Sequence, residues 1–289
     1  MKIVVAGGTG FLGQPLVRRL LQRGADVVVL SRNPAKVHVG RGIAWNAVNE
    51  AGSADVVINL AGENVGEGRW TAERKRKILV SRLDATTSLV DAIRRAPAKS
   101  RTLISASAVG FYGLRGDEII DETSPTGSGF LAEVVRKWEE AARGAESISR
   151  VVIFRFGVVL AKDGGALEKM MLPFRLGVGG PIGSGNQWMS WVDREDVFRA
   201  IEWAIDRREV RGTYNITSPE PVRNRDFAGA LGRALHRPAF MPTPGFALRL
   251  IFGTMADEVL LGGQRVVPAR ATNEGFTFAY PTLEASLQH

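Results

Sequence analysis

Three glycines at three-residue intervals, Gly7, Gly10 and Gly13, stand between a short apolar run, Lys2 to Ala6, and a stretch where Leu12, Leu16, Val17, Leu20 and Leu21 recur at helical spacing. A second apolar run, Val27 to Leu30, follows Gly24 and completes a β-α-β unit. In that setting the glycines have distinct roles. Gly7 makes the tight turn, Gly10 lets a pyrophosphate approach the backbone, and Gly13 lets the helix pack closely on the strand. Thr9, Phe11 and Leu12 share the turn, and the unpaired N–H groups at the helix start are suited to phosphate oxygens. The chemistry implied is dinucleotide binding. The end of the second strand indicates which dinucleotide. An acid there would bond the ribose hydroxyls and repel a 2'-phosphate, but Ser31 and Arg32 occupy the position, and a guanidinium makes a forked contact to phosphate. NADP is therefore expected in preference to NAD.

Other chemistry-bearing residues fall at the ends of further apolar runs. SADVVINLAG (53–62) ends in Leu60, Ala61 and Gly62, followed by Glu63, and RTLISASAVG (101–110) carries Ser105 and Ser107. SRVVIFRFGVVL (149–160) reads as another strand, and helical segments at 71–95 and 130–144 alternate with these runs. This is the pattern of an α/β fold with a Rossmann-type, doubly wound parallel sheet. Ligands in such sheets lie beyond the carboxyl ends of the strands, so Gly7–Gly13, Leu60–Glu63 and Ser105–Ser107 are expected around one crevice.

Residues 1–160 are expected to form the cofactor domain, receiving parts of 190–235, with 161–289 mainly a smaller C-terminal substrate lobe. Past Leu160 the chain turns glycine-rich, and Met170, Met171, Phe174, Pro181, Gln187, Trp188 and Trp191 can serve equally as pocket wall or core. Arg69 and Trp70 are placed to reach the crevice, where Arg69 would suit an anion, and Asp193 and Asp196 suit a helix start.

Composition excludes several classes. With 45% hydrophobic and 24% charged residues, the 289-residue chain can bury a full core. It has no cysteine, hence no disulfide framework and no thiol nucleophile, which suits a cytoplasmic protein. Its three histidines, His38, His236 and His289, are scattered, and no metal site is expected. No apolar run approaches the roughly 20 residues of a membrane span. The net charge of +8 has its densest run in ERKRK (73–77), which runs into ILV without interleaved aromatics. That is the pattern of a solvated helix face, and no nucleic-acid partner is expected.

GGTGFLG, NLAGENV, SRLDATTSLVDAI, SASAVGFYG, GGPIGSGNQWMSWVDREDV and YNITSPEPVRNRDFA together resemble the extended short-chain dehydrogenase/reductase superfamily, specifically its atypical "epimerase family" subgroup. Residues 241–287 resemble the short C-terminal domain of unknown function attached to that subgroup. The resemblance implies NADP(H)-dependent oxidoreductase or epimerase-like activity on an undetermined small molecule, Arg82 and Ser105 among the cofactor contacts, and a homodimer built through helices flanking the sheet. In the wider superfamily a strand-end serine works with a tyrosine and a lysine four residues later. The serine maps onto Ser107, but the pair maps onto Leu131 and Val135, or one residue earlier onto Phe130 and Val134. Neither register supplies a proton. Glu133, Lys137 and Glu139 read as solvated, which leaves Ser107 and Tyr112 as candidate acid/base groups. A non-catalytic NADP(H)-binding regulatory protein is the alternative expectation.

Overall fold

The computed structural model describes residues 1–97 and 101–289. In chain order the elements are β1 (Lys2–Ala6), α1 (Gly13–Gln22), β2 (Asp26–Ser31), β3 (Arg41–Ala44), β4 (Val56–Asn59), α2 (Ala72–Arg95), β5 (Thr102–Ala108), β6 (Ile119–Ile120), α3 (Phe130–Arg143), β7 (Arg150–Phe156) and β8 (Val158–Leu160). The second half contains α4 (Gly165–Arg175), β9 (Trp188–Met189), β10 (Trp191–Asp193), α5 (Arg194–Asp206), β11 (Gly212–Ile216), β12 (Val222–Arg223), α6 (Asn224–Leu235), α7 (Gly245–Phe252), β13 (Arg265–Val266), α8 (Ala269–Asn273) and α9 (Leu283–Gln288).

Seven strands form one sheet in the order β3-β2-β1-β4-β5-β7-β11, every pair parallel. The chain winds outward from β1 in one direction and from β4 in the other, so the order reverses between these two strands. A ligand crevice belongs at that reversal. Strand β1 shows why both faces must be covered. Ile3 and Val5 bury against Leu16, Val17 and Leu20 of α1 and Val197 and Ile201 of α5. Val4 and Ala6 point the other way, onto Leu89, Val90 and Ile93 of α2 and Ala142 of α3. Alternating side chains therefore serve two cores. Truncating one such side chain, Leu89→Ala for example, would cost about 2–5 kcal/mol. Leu21, expected on the buried stripe of α1, is instead 38% exposed, because Leu16, Val17 and Leu20 already fill the face toward the sheet.

The run 149–160 is two strands rather than one. At Gly157 the chain leaves the large sheet, and β8 pairs with β10 instead. A side chain at Gly157 would put its Cβ 2.7 Å from the Ser190 carbonyl oxygen, so the crossing requires glycine. Beyond it, Leu160, Leu167, Met171, Phe174, Trp191, Phe227 and Leu231 form the core of the second lobe, with α9 adding Leu283 and Leu287. Ala271 and Phe276 of the C-terminal segment instead bury in the core of the large sheet. Among the described residues no helix is long and apolar enough to cross a membrane.

Candidate functional site

The glycine turn at the end of β1 has the geometry its spacing demands. Gly7 has φ +80°, and a Cβ there would lie 2.7 Å from the Leu60 carbonyl carbon. At Gly13 a Cβ would come within 2.1 Å of the Gly7 carbonyl oxygen, so α1 can start this close to the turn only without a side chain. Gly10 donates its N–H to the Gly7 oxygen at 3.0 Å, and a Cβ there would meet only that oxygen, leaving its outer side open. Thr9 and Gly10 are exposed; Phe11 and Leu12 are half-buried. Helix α1 has no side-chain cap and no acid in its first turn, so its leading N–H groups and dipole are uncompensated by the helix's own side chains. Phe11 leans out of the turn against the second lobe, where Cβ atoms on Gly164 and Gly165 would come within 2.9 and 2.8 Å of its ring, and the Arg194 guanidinium lies 5.2 Å from the ring centroid.

At the end of β2, Ser31 is buried, and its hydroxyl accepts the Asn33 N–H at 3.1 Å. Arg32 is exposed and has no ion-pair partner among the described residues. The 60–63 turn is shaped from beneath. Asn59 accepts the Ala61 N–H at 3.1 Å and donates to Thr86 at 2.8 Å, while Leu60 donates its N–H to the Ala6 oxygen at 2.9 Å. Glu63 receives Arg74 at 2.7 Å, and its N–H donates to the Ser81 hydroxyl at 3.0 Å. Arg82 runs under the turn: Nη1 donates to the carbonyl oxygens of Glu63 and Ile78 at 2.9 and 3.0 Å, its guanidinium lies 5.1 Å from the Trp138 ring centroid, and a Cβ at Gly62 would be 3.1 Å from its Cζ. Burial pulls its pKa down to about 10, which leaves it cationic at neutral pH. Asn59, Thr86 and Trp138 are structural supports of this turn that sequence reasoning missed. The buried polar end of an otherwise apolar strand was the available signal for Asn59.

The candidate acid/base residues lie in a buried network. Ser107 donates to Glu139 at 2.6 Å, Glu139 receives Nε and Nη2 of Arg155 at 2.7 Å each, and Arg155 Nη1 donates to the Tyr112 oxygen at 2.9 Å. The Tyr112 hydroxyl donates onward to Asn215 at 2.8 Å. Ser107 is 3% exposed and Tyr112 0%, and burial raises the tyrosine pKa against the opposing effect of Arg155. In this arrangement both hydroxyls are committed to protein partners. Ser105 is buried as well, its hydroxyl donating to the Ala106 oxygen at 3.2 Å.

Glu139 corrects the sequence reading: expected in solvent, it is 3% exposed. The physical reason is Arg155, a lone cation inside the apolar strand IFRFG, which a buried carboxylate must balance. Glu133 and Lys137 do form an exposed ion pair, at 2.6 Å. Leu131 and Val135 bring an apolar surface to the end of β5, where a Cβ on Gly110 would be 3.3 Å from the Leu131 Cβ. The start of α3 is capped from the far end of the chain. Glu258 accepts the N–H groups of Phe130 and Leu131 at 3.1 and 2.8 Å, a contact that no local sequence signal reveals.

Among the expected pocket residues, Met171, Phe174 and Trp191 are core of the second lobe, at most 5% exposed, whereas Met170, Pro181, Gln187 and Trp188 are half-buried. Arg69 donates to the Leu250 oxygen at 2.9 Å, and Trp70 is buried edge-on to Phe130. Asp193 caps α5 by accepting the Glu195 N–H at 2.8 Å. Asp196 accepts the Ala279 and Tyr280 N–H groups at 2.6 and 3.0 Å, and burial raises its pKa.

Comparison with known proteins fits this geometry. A sequence profile described as the NAD dependent epimerase/dehydratase family matches residues 3–217. The chain belongs to that family. A domain of unknown function (DUF1731) matches residues 243–289. The mouse epimerase family protein SDR39U1 is 41% identical over 100% of this chain and 99% of its own length. Its chloroplastic homologue from Arabidopsis thaliana is also 41% identical, over 100% of this chain and 86% of its own. The crystal structure of human epimerase family protein SDR39U1 (isoform2) with NADPH superposes with a TM-score of 0.93, at 38% identity and over 100% of this chain and 98% of that one. The sheet order and glycine turn are thus those of an NAD(P)-binding epimerase-family fold.

Proposed function

We propose that this epimerase-family chain binds NADP(H) and acts as an oxidoreductase or epimerase on a small molecule, without the tyrosine–lysine pair of the wider superfamily. The observation that carries the reading is the uncapped glycine turn at the point of strand-order reversal, with Gly10 open on its outer side and, at the end of the neighbouring strand, an Arg32 with no ion-pair partner among the described residues. The NADPH-bound human relative supports it.

On this reading the N–H groups of the turn and of α1 hold the pyrophosphate. Ser31 and Arg32 hold the 2'-phosphate, and the turn 60–63, propped by Arg82, borders the adenosine side. The nicotinamide supplies hydride chemistry when bound. Leu131, Val135 and Gly110 form a dry wall where the superfamily places its proton donor. Ser107 and Tyr112 then contribute through the Glu139–Arg155 network, which fixes β5, α3 and β7 against one another, and the substrate's own groups carry more of the proton chemistry.

Fluorescence titration with NADPH and NADH tests the cofactor: NADPH is expected to bind about tenfold tighter or better, and Arg32→Ala to erase most of that difference. Equal affinities in the wild type sink the NADP assignment. NADPH oxidation with a panel of ketones, quinones and nucleotide sugars tests catalysis. Tight NADPH binding with no turnover across the panel favours the second reading, a non-catalytic NADP(H)-binding regulator, which the apolar Leu131 and Val135 positions also fit.

A further inference from the structure

We propose that the second lobe carries a docking surface for an anionic lipid membrane, formed by α7, the chain leading into it and the outer end of α4.

Of the large apolar side chains exposed among the described residues, eight of thirteen fall in two stretches, 172–178 and 240–251. Scattered singly, such residues need no explanation; gathered in one place, they mark a contact surface. The backbone gathers them. Met241 donates its N–H to the Gly179 oxygen at 3.2 Å, Thr243 donates to the Pro181 oxygen at 2.9 Å, and Gly183 donates back to the Thr243 oxygen at 2.9 Å. That pairing brings Phe240 and Met241 alongside the chain that leaves α4 with Leu176 and Val178. The loop after β4 ties the two helices together. Its Gly66 oxygen accepts Lys169 of α4 at 3.3 Å, and its Arg69 donates to the Leu250 oxygen of α7 at 2.9 Å.

Helix α7 is the plainest sign of an outward role. Six of the eight residues in GFALRLIF are apolar, yet only Leu248 is buried. Phe246 and Leu250, one turn apart, are 73% and 75% exposed, and Ile251 is exposed beside them. A helix of a globular protein ordinarily turns such a stripe toward the core. At about 12 Å long, α7 is too short to span a bilayer. Lying flat, it would sink Phe246 and Leu250 into the boundary between headgroups and acyl chains.

Charge selects the occupant. Residues 169–192 and 236–256 contain no Asp or Glu, while they carry Lys169, Arg175, Arg237 and Arg249. Asp257, just past this span, holds Arg249 at 2.8 Å. A second copy of the chain seated here would set cations against cations, which disfavours self-association through this face. As polar side chains the two exposed stretches offer only Arg175, Thr243 and Arg249, little of the hydrogen bonding that a protein interface uses. Acyl chains require none, and anionic headgroups attract the cations around them.

The test sediments the full chain with vesicles of phosphatidylcholine alone and of phosphatidylcholine mixed with phosphatidylglycerol. The wild type is expected to bind the mixed vesicles at least about tenfold more tightly than the neutral ones. Phe246→Ser combined with Leu250→Ser should weaken binding to the mixed vesicles by about tenfold or more. The same variant should keep the wild-type melting temperature and NADPH affinity, because both side chains are exposed and neither borders the glycine turn. Arg175→Glu combined with Arg237→Glu should remove the preference for the anionic vesicles. Wild type that stays in the supernatant with the mixed vesicles overturns the proposal, as does a serine double variant that binds them equally well. Light scattering without vesicles should give the same mass for both proteins. A dimer that the serine variant dissolves would assign the surface to a second copy and overturn the lipid proposal.

Discussion

Arg155 grips both carboxylate oxygens of Glu139 at 2.7 Å, with neither side chain more than 5% exposed. The pair joins the carboxyl end of β7 to α3, and Ser107 and Tyr112 hang from it. Removing one partner strands the other charge. Glu139→Gln is therefore expected to destabilise the protein by about 3–5 kcal/mol in urea unfolding. A double change to apolar residues, Glu139→Leu with Arg155→Met, should cost much less than the sum of the single changes. Additive costs would show that the pair is not coupled.

Tyr112→Phe separates structure from chemistry. The hydroxyl bonds Arg155 and Asn215 in a site closed to water, so its loss should cost about 1–3 kcal/mol. NADPH affinity should stay within about twofold of wild type, because the residue does not border the glycine turn. Unchanged stability with lost turnover would instead identify the phenol as a proton donor.

Among the glycines, position decides the outcome. Gly13→Ala forces a Cβ to 2.1 Å from the Gly7 oxygen and should weaken NADPH binding by on the order of 100-fold as the turn is displaced. Gly24→Ala meets nothing within 4 Å and has only its φ of +77° to accommodate. It should cost about 1–2 kcal/mol of stability and leave the NADPH titration unaltered.

Tyr214 gives the fold an alkaline limit. Burial first, and then its hydrogen bond to Glu274, push its pKa from 10.0 up to about 12. The folded state therefore keeps a proton that the unfolded chain loses first. The associated stability is complete below pH 10 and disappears as pH rises toward 12. Denaturation midpoints between pH 9 and 12 should fall more steeply for wild type than for Tyr214→Phe; parallel curves would remove the tyrosine from the account.

Much of this architecture was legible in residue order. The glycine spacing between two apolar runs located the turn between β1 and α1, and the apolar residues Leu131 and Val135 were legible at the start of the helix 130–143. What escaped was long-range pairing. An acid on an amphipathic helix reads as solvated until the cation opposite is known, and Arg155 reaches Glu139 from the next strand. Likewise, Ser107 and Tyr112 sit where a motif puts reactive hydroxyls, yet their partners Glu139 and Asn215 come from α3 and β11.

Glu258 reaches back some 130 residues to take the first two amides of α3. The profile boundary near residue 243 is therefore a boundary of ancestry and not of mechanical independence. A chain shortened to residue 242 would leave the opening turn of α3 unsecured and would strip Phe276 from the sheet's core. Loss of the tail is therefore expected to destabilise the first 242 residues as well, since it removes both the cap on α3 and part of the sheet's core.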